Sequence, residues 1–217
     1  MTSIQAPVVM KLEQVVKYYG KTEKPSLGPV SLELHQGEVV GIRGINGSGK
    51  STLLKAAAGA IRISEGKRII AKETEGKIGY VPQDLSLYES LTCYENLCFW
   101  GILQGVPRKA VTIRADWLLE QFHLKDKRDE NVETCSGGMK RRLHLATALM
   151  VTPSVLLLDE PSVGADEESR NTIDQMILHE KKMGTGVLLV SHEKGELENV
   201  CDRILSMHDG LLTEGNL

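Results

Sequence analysis

Short apolar runs closed by turn residues recur along the chain: VVMKLEQVV, GEVVGIRG, KIGYVPQ, SVLLLDEP, GVLLVSH and RILSMHDG. Several carry apolar residues at successive positions instead of alternating with polar ones. That pattern belongs to strands buried on both faces, as in a parallel sheet covered by helices. Between them lie segments of helical periodicity, STLLKAAAGAI, MKRRLHLATALM and EESRNTIDQMILHEKKMG, the last closed by Gly184 as a helix stop. Strand and helix patterns in this order predict an α/β fold.

The stretch from about Leu85 to Met150 holds no convincing strand pattern and reads as a helical insertion. Thr92 and Glu95 have capping-box spacing ahead of CYENLCFWGILQG, and AVTIRADWLLEQFHL is a further amphipathic run. No internal repeat, low-complexity tract or linker divides the chain. One domain is expected, with a core over about residues 1–84 and 151–217 and a helical part over about 85–150.

At 41% apolar and 25% charged residues, the 217-residue chain has ordinary globular composition, which argues against disorder. A net charge of −3 lacks the basic excess of a phosphate-backbone binder, so no nucleic-acid partner is expected. The four cysteines have no Cys-x-x-Cys spacing and are too sparse for a disulfide scaffold; reduced thiols in a cytosolic protein are expected, and no structural metal. The opening MTSIQAPVVMKLEQ has no charged segment followed by a long apolar one, and no window approaches the roughly 18 apolar residues of a membrane span. The chain is expected to be soluble, held at any membrane only by another protein.

Chemistry-bearing residues gather at the ends of the apolar runs. VVGIRGINGSGKSTLLK places Gly44, Gly49, Lys50 and Ser51 in the pattern G-x-x-x-x-G-K-S, after a strand pattern and before a helical one. Glycines let backbone N–H groups turn toward a phosphate chain, and the helix N-terminus adds the positive end of its dipole. Lys50 can neutralise β and γ oxygens, and Ser51 can ligate Mg2+. SVLLLDEP ends in Asp159 and Glu160 at a strand's carboxyl end, where open α/β sheets bind ligands. Alone, the two acids read as a solvated strand end. Beside a phosphate loop they can divide labour, Asp159 toward the Mg2+ shell and Glu160 toward an attacking water.

GVLLVSH delivers His192 in the same way, able to bond a γ-phosphate or orient the water, whereas His35, His123, His144, His179 and His208 read as structural. KIGYVPQD brings Gln83 to a strand end as a neutral group for water or Mg2+, a plain turn glutamine after Pro82 being the alternative. TCSGGMKRRLHLATALM, residues 134–150, sets Ser136, Gly137 and Gly138 before a basic amphipathic helix. That is either a second anion site or a simple helix cap.

Together these pieces resemble the ATP-binding cassette (ABC) ATPases, from about Val8 to the C-terminus. In that family GINGSGKST is the Walker A loop, which implies that Asn46, Gly47, Ser48, Gly49, Lys50, Ser51 and Thr52 hold ATP. Gln83 matches the Q-loop residue, CSGGMKRR the signature, VLLLDE Walker B, SVGAD the D-loop and His192 the switch histidine. The resemblance implies a P-loop NTPase (RecA-like) core with a mostly parallel sheet, an antiparallel β portion near the N-terminus and an inserted α-helical subdomain. It implies catalytic roles for Glu160, His192 and Gln83, and Mg2+ ligation by Ser51, Gln83 and Asp159. Tyr19 in KYYG would stack on adenine, with Tyr18 as the alternative stacker and a core-packed tyrosine as the plain reading of either.

In ABC proteins two nucleotide-binding domains pair head to tail, each signature closing over the partner's γ-phosphate. Ser136, Gly137 and Gly138 are therefore expected to face the ATP of a second domain, in a homodimer or heterodimer, and the pair is expected to open when hydrolysis removes the bridge. Cys135 and Met139 stand where the signature usually has Leu and Gln. Ala165 replaces the commoner D-loop leucine, a change expected to loosen coupling between the two sites. The form SGGMKRRL is similar to the drug-exporter or ABC-2-type branch, whose ATPase and membrane subunits are often separate chains.

Of the nine aromatic residues, Tyr88, Tyr94, Phe99 and Trp100 fall just after the Q-loop residue. They suit the core of the helical part or, by the resemblance, a groove receiving a cytoplasmic helix of a transmembrane permease. The expected function is an ATP-hydrolysing transporter subunit, peripheral on the inner face of the cell membrane, driving a separate permease in export. Two alternatives stay open. A soluble ABC-type ATPase in translation or DNA maintenance usually carries two cassettes or a long coiled coil, and a P-loop kinase would leave the Ser-Gly-Gly stretch without a role.

Overall fold

The computed structural model describes residues 6–20, 24–192 and 194–214; the start of the opening segment, residues 1–5, lies outside them. A three-stranded antiparallel sheet has the order β2-β1-β4, from β1 (Val8–Lys17), β2 (Leu27–His35) and β4 (Glu65–Ile70). The six-stranded sheet runs β5-β6-β7-β3-β8-β9, built from β3 (Val39–Arg43), β5 (Ile78–Val81), β6 (Val155–Asp159), β7 (Gly186–Val190), β8 (Arg203–His208) and β9 (Leu211–Glu214). Neighbours from β5 to β8 are parallel, and β9 pairs with β8 antiparallel. The α/β fold with an antiparallel N-terminal portion is what the structure has.

All five residues of β6 and of β7 are buried, which is why neither strand alternates with polar residues. Their side chains divide between the two faces by the strand period of two. Val155 and Leu157 pack with Leu188, Val190 and helix α1 (Lys50–Ala58), and α1 is covered from its other side by the small sheet. Leu156 and Leu158 face helices α2 (Cys93–Leu103), α3 (Arg108–Gln121), α4 (Gly137–Ala148) and α5 (Glu167–Lys182). Each such leucine contributes about 2 kcal/mol by leaving water. Helix α6 (Lys194–Val200) precedes β8.

The helix boundaries follow local chemistry. Thr92 and Glu95 form the reciprocal capping box that opens α2. Asp166 caps α5, and at its far end the N–H of Gly184, at φ 92°, bonds the carbonyl of Lys181. Among described residues, 85–150 hold helices and one isolated bridge, Thr92 to Asn131.

Strands β2, β4 and β9 and helix α6 are absent from the runs that the pattern predicts. β2 alternates buried and exposed residues cleanly, but Gly28 and Pro29 within it read as a turn. Proline is tolerated there because β2 is an edge strand of its sheet. β4 has no fully buried residue, so it carries little apolar signal.

Strand register places the site. Asp159 is level with Val190, Leu158 with Val81, and Ile42 with Val190. The carboxyl ends of β3, β5, β6 and β7 therefore reach one edge of the sheet together, and the loops that follow them open on common ground.

Candidate active site

The loop after β3 carries Gly47 at φ 80° and Gly49 at φ 108°, in the left-handed region that glycine occupies at little cost. A Cβ on Gly49 would come 2.9 Å from the carbonyl oxygen of Ser26, so the close approach also requires glycine. Gly49 is the N-cap of α1 and supplies no side-chain cap, which leaves the first N–H groups of the helix for another acceptor. Lys50, only 6% exposed, donates from Nζ to the carbonyls of Gly44 (2.8 Å) and Ile45 (2.9 Å). An ammonium has three donors, so one remains for a ligand.

A cavity of about 760 Å³ opens over this loop. Its walls include Asn46, Gly47, Gly49, Lys50, Ser51 and Thr52 from the loop and α1, Tyr19 from the end of β1, and Gln83, Glu160 and His192 from the ends of β5, β6 and β7. Tyr19 is exposed and lines the cavity, with Lys17 Nζ 5.0 Å from its ring centre; Tyr18 is not among the lining residues, and its N–H bonds Ser64 Oγ. Ser48 is buried beneath the loop and does not line the cavity.

Asp159 lies just behind, buried, with the Ser51 hydroxyl near enough to favour its charged form. Burial pushes its carboxyl up, and the Ser51 hydroxyl and the Lys50 charge pull the other way. Glu160 is 8% exposed and sits at φ 51°, an unusual backbone conformation for a non-glycine residue. Gln83 Nε2 donates to Glu160 Oε2 at 2.9 Å, and His192 Nδ1 lies 3.2 Å from Glu160 Oε1. One carboxylate is thus gripped from two neighbouring strand ends.

Ser136, Gly137 and Gly138 stand apart from this cavity, at the N-terminus of α4. Ser136 and Gly137 are exposed; Gly138 is buried, and a Cβ there would strike Ser169 Oγ at 2.4 Å and Asp166 Oδ2 at 2.7 Å. Ser136 Oγ accepts from the N–H of Met139 at 3.3 Å, so it caps the helix. A hydroxyl can accept that bond and still donate its proton to an anion, so the cap and an anion site are compatible.

Three residues at or beside the site carry no sequence signal of their own. Ser26 lines the cavity through the return of the chain into β2. Tyr80, on β5, has its hydroxyl pushed up to about 12 by burial and by Asp159. Arg141, on α4, donates to the carbonyl of Gln83 at 2.6 Å.

A second cavity, of about 750 Å³, lies at the amino ends of β5, β6 and β7. It gathers Arg114, Trp117, His179 and Glu180 but neither a glycine-rich loop nor paired strand-end acids, so the phosphate chemistry belongs to the first.

The cavity can hold a phosphate chain on the loop and α1, present hard oxygen donors from Ser51 and Asp159 to a cation, and place a carboxylate at the chain's end. The ABC transporter family model matches residues 27–163, more than half of the chain. The chain is 38% identical over 217 residues to the linearmycin resistance ATP-binding protein LnrL of Bacillus subtilis, covering 96% of this chain and 68% of that protein. It is 36% identical over 206 residues to the doxorubicin resistance ATP-binding protein DrrA of Mycobacterium tuberculosis, covering 91% of this chain and 62% of that protein. A solved dimeric ATP-binding cassette in a post-hydrolysis state, bound to ADP and Pi, superposes with a TM-score of 0.82 at 27% identity, covering 94% of this chain and 98% of that one. The chain belongs to the ABC family, and its domain is an ABC ATPase.

Proposed function

We propose that this chain is the ATP-hydrolysing subunit of an exporter, working as a pair of cassettes that close on MgATP and drive a separate transmembrane permease. The observation that carries this reading is the separation of two half-sites in one chain. The loop, Lys50, Glu160 and His192 share a cavity that Ser136 and Gly137 do not reach, and those two are left exposed. A second cassette supplying its own α4 N-terminus would complete each site.

In this reading Asn46, Gly47, Gly49, Lys50, Ser51 and Thr52 hold the phosphates of ATP, with Ser48 bracing the loop through its N–H bond to the Ile45 carbonyl, and Tyr19 stacks on the adenine. Ser51, Asp159 and Gln83 hold Mg2+. Among described residues no cluster of three or more His, Cys, Asp or Glu could cage a metal. That suits Mg2+, which takes one or two protein oxygens and completes its shell with phosphate and water. When bound, it neutralises phosphate charge. Glu160 orients and deprotonates the attacking water, His192 bonds the γ-phosphate, and Gln83 aims the Glu160 carboxylate through its amide. Ser136, Gly137 and Gly138 grip the γ-phosphate bound to the other cassette, in a homodimer or a heterodimer.

No helix of the described residues is long and apolar enough to cross a membrane. In this reading the permease holds the chain on the inner face of the cell membrane. Tyr88, Phe99 and Trp100 form a three-ring cluster with centres 4.7 to 6.5 Å apart, flanked by exposed Leu85, Ile102 and Leu103, and this patch is where a permease helix would dock. Tyr94 instead packs inward under Arg128. The drug-resistance names of LnrL and DrrA support export.

The test is Glu160→Gln. It should bind ATP, hydrolyse it slower by about 10²-fold or more, and run as a dimer on size exclusion only when ATP is present. A monomer under those conditions overturns the paired engine. Co-purification with a polytopic membrane protein tests the permease.

A further inference from the structure

The segment that carries Gln83 is tied to α4 at two points. Arg141 Nη1 donates to the Gln83 carbonyl at 2.6 Å, and the N–H of Ser86 donates to His144 Nε2 at 3.2 Å. Arg141 and His144 are three residues apart, on one face of the helix. Burial lowers the His144 pKa to about 4, so its imidazole is neutral near pH 7 and Nε2 stays an acceptor. A third tie lies nearby, from Lys140 Nζ to Glu89 Oε1 at 2.6 Å. The segment that follows β5 is therefore fastened to α4 as well as to the sheet.

At its other side the same segment reaches the reacting groups. Gln83 Nε2 bonds Glu160 Oε2, and the Arg141 guanidinium lies within electrostatic range of Glu160 and Asp84. The N-terminus of α4 is Ser136, whose N-cap bond to Met139 fixes the first turn. One continuous path thus runs from the exposed end of α4 through Arg141 and Gln83 to the buried carboxylate of Glu160.

We propose that Arg141 is a positioning residue for hydrolysis: by holding the Gln83 carbonyl from α4, it sets the Gln83 amide against Glu160 and so couples the exposed half-site of the chain to its own catalytic carboxylate. This rests on the assignment of Glu160 as the group that activates water. It gives each cassette an internal report of whether its α4 is engaged by a partner's nucleotide. Engagement that moves the helix shifts Gln83 and frees or re-aims Glu160. A donor with a fixed fork does this better than a lysine, because two torsions of the guanidinium are already planar.

Arg141→Met keeps the aliphatic stem and its packing and removes the donor. In the full chain it should lower kcat about tenfold and leave the affinity for a fluorescent ATP analogue within about twofold. Arg141→Lys should recover part of the loss. In a Gln83→Ala background the Arg141→Met change should add little further, because the amide it positions is gone. Equal losses in both backgrounds, or an unchanged kcat, overturn the proposal. Loss of the ATP-induced dimer in Arg141→Met combined with Glu160→Gln also overturns it, because Arg141 would then serve the partner's nucleotide directly. Normal turnover by Glu160→Gln alone would sink the catalytic assignment instead, whereas an inert Glu160→Gln beside a fully active Arg141→Met sinks only this inference.

Discussion

The Gln83 amide and the Glu160 carboxylate meet at 2.9 Å, joining the ends of two neighbouring parallel strands across the floor of the nucleotide cavity. Seventy-seven residues separate them in the chain. The bond occupies one oxygen of the carboxylate, and His192 sits against the other. A carboxylate held in that way has a fixed orientation and still keeps lone pairs on both oxygens for a further partner.

Lys50 differs from Glu160 in what its loss should do. Its ammonium ties two loop carbonyls together, so Lys50→Ala removes both a phosphate partner and a brace of the loop. ATP affinity should fall by about tenfold or more, read by titration with a fluorescent nucleotide. Retained affinity with lost turnover would move Lys50 from binding to catalysis.

The two signature glycines should behave in opposite ways. A Cβ on Gly137 meets nothing within 4 Å, whereas one on Gly138 collides with Ser169 and Asp166. Gly138→Ala should cost about 1–3 kcal/mol of stability, seen as a lower Tm. Gly137→Ala should leave Tm within about 2 °C yet abolish the ATP-dependent dimer of the Glu160→Gln protein, because its methyl enters only the space a partner's phosphate would fill.

His144 sets an acid limit. Burial, helped by the Arg141 charge, brings its pKa from 6.5 to about 4, so the native state resists a proton that the unfolded chain accepts. Its contribution is fully present above pH 6.5 and is lost as pH falls toward about 4, in total about 3 kcal/mol. Asp159, raised by burial, acts with the opposite sign just above the ordinary carboxylate range. Urea midpoints at pH 7 and pH 5 should differ in the natural protein and converge in His144→Gln. A slope that survives the substitution assigns the acid sensitivity elsewhere.

The thiols should be quiet. Cys93 and Cys135 are buried with sulfurs 3.7 Å apart, and burial pushes Cys93 and Cys201 up to about 12. Little thiolate of Cys93 or Cys201 exists at pH 8, and Cys135 is shielded by burial, so a thiol reagent should label these three only after unfolding. Fast labelling of Cys93 in the folded protein would contradict that packing. Cys135, in place of the usual signature leucine, spends its side chain on this contact and leaves Ser136 unchanged as the cap of α4.

Sequence alone determined the elements whose apolar residues are contiguous or helically spaced. The runs at β3, β6 and β7 are buried on both faces, and such strands announce themselves without help from neighbours. The glycine loop was legible for a related reason: its backbone angles at Gly47 and Gly49 are a local demand that only a few residue types meet. The capping box of α2 was local too. What the chain could not disclose locally was decided by long-range pairing. β2 hid behind Gly28 and Pro29 because edge position, which excuses a proline, is a property of the sheet and not of the segment. Tyr19 and Tyr18 were equivalent as letters, and only the path of the chain beyond β1 put Tyr19 against the cavity. Arg141 read as one more base on an amphipathic helix. Its bond to a carbonyl fifty-eight residues away exists because α4 packs across the end of β5, a contact that no window of sequence contains.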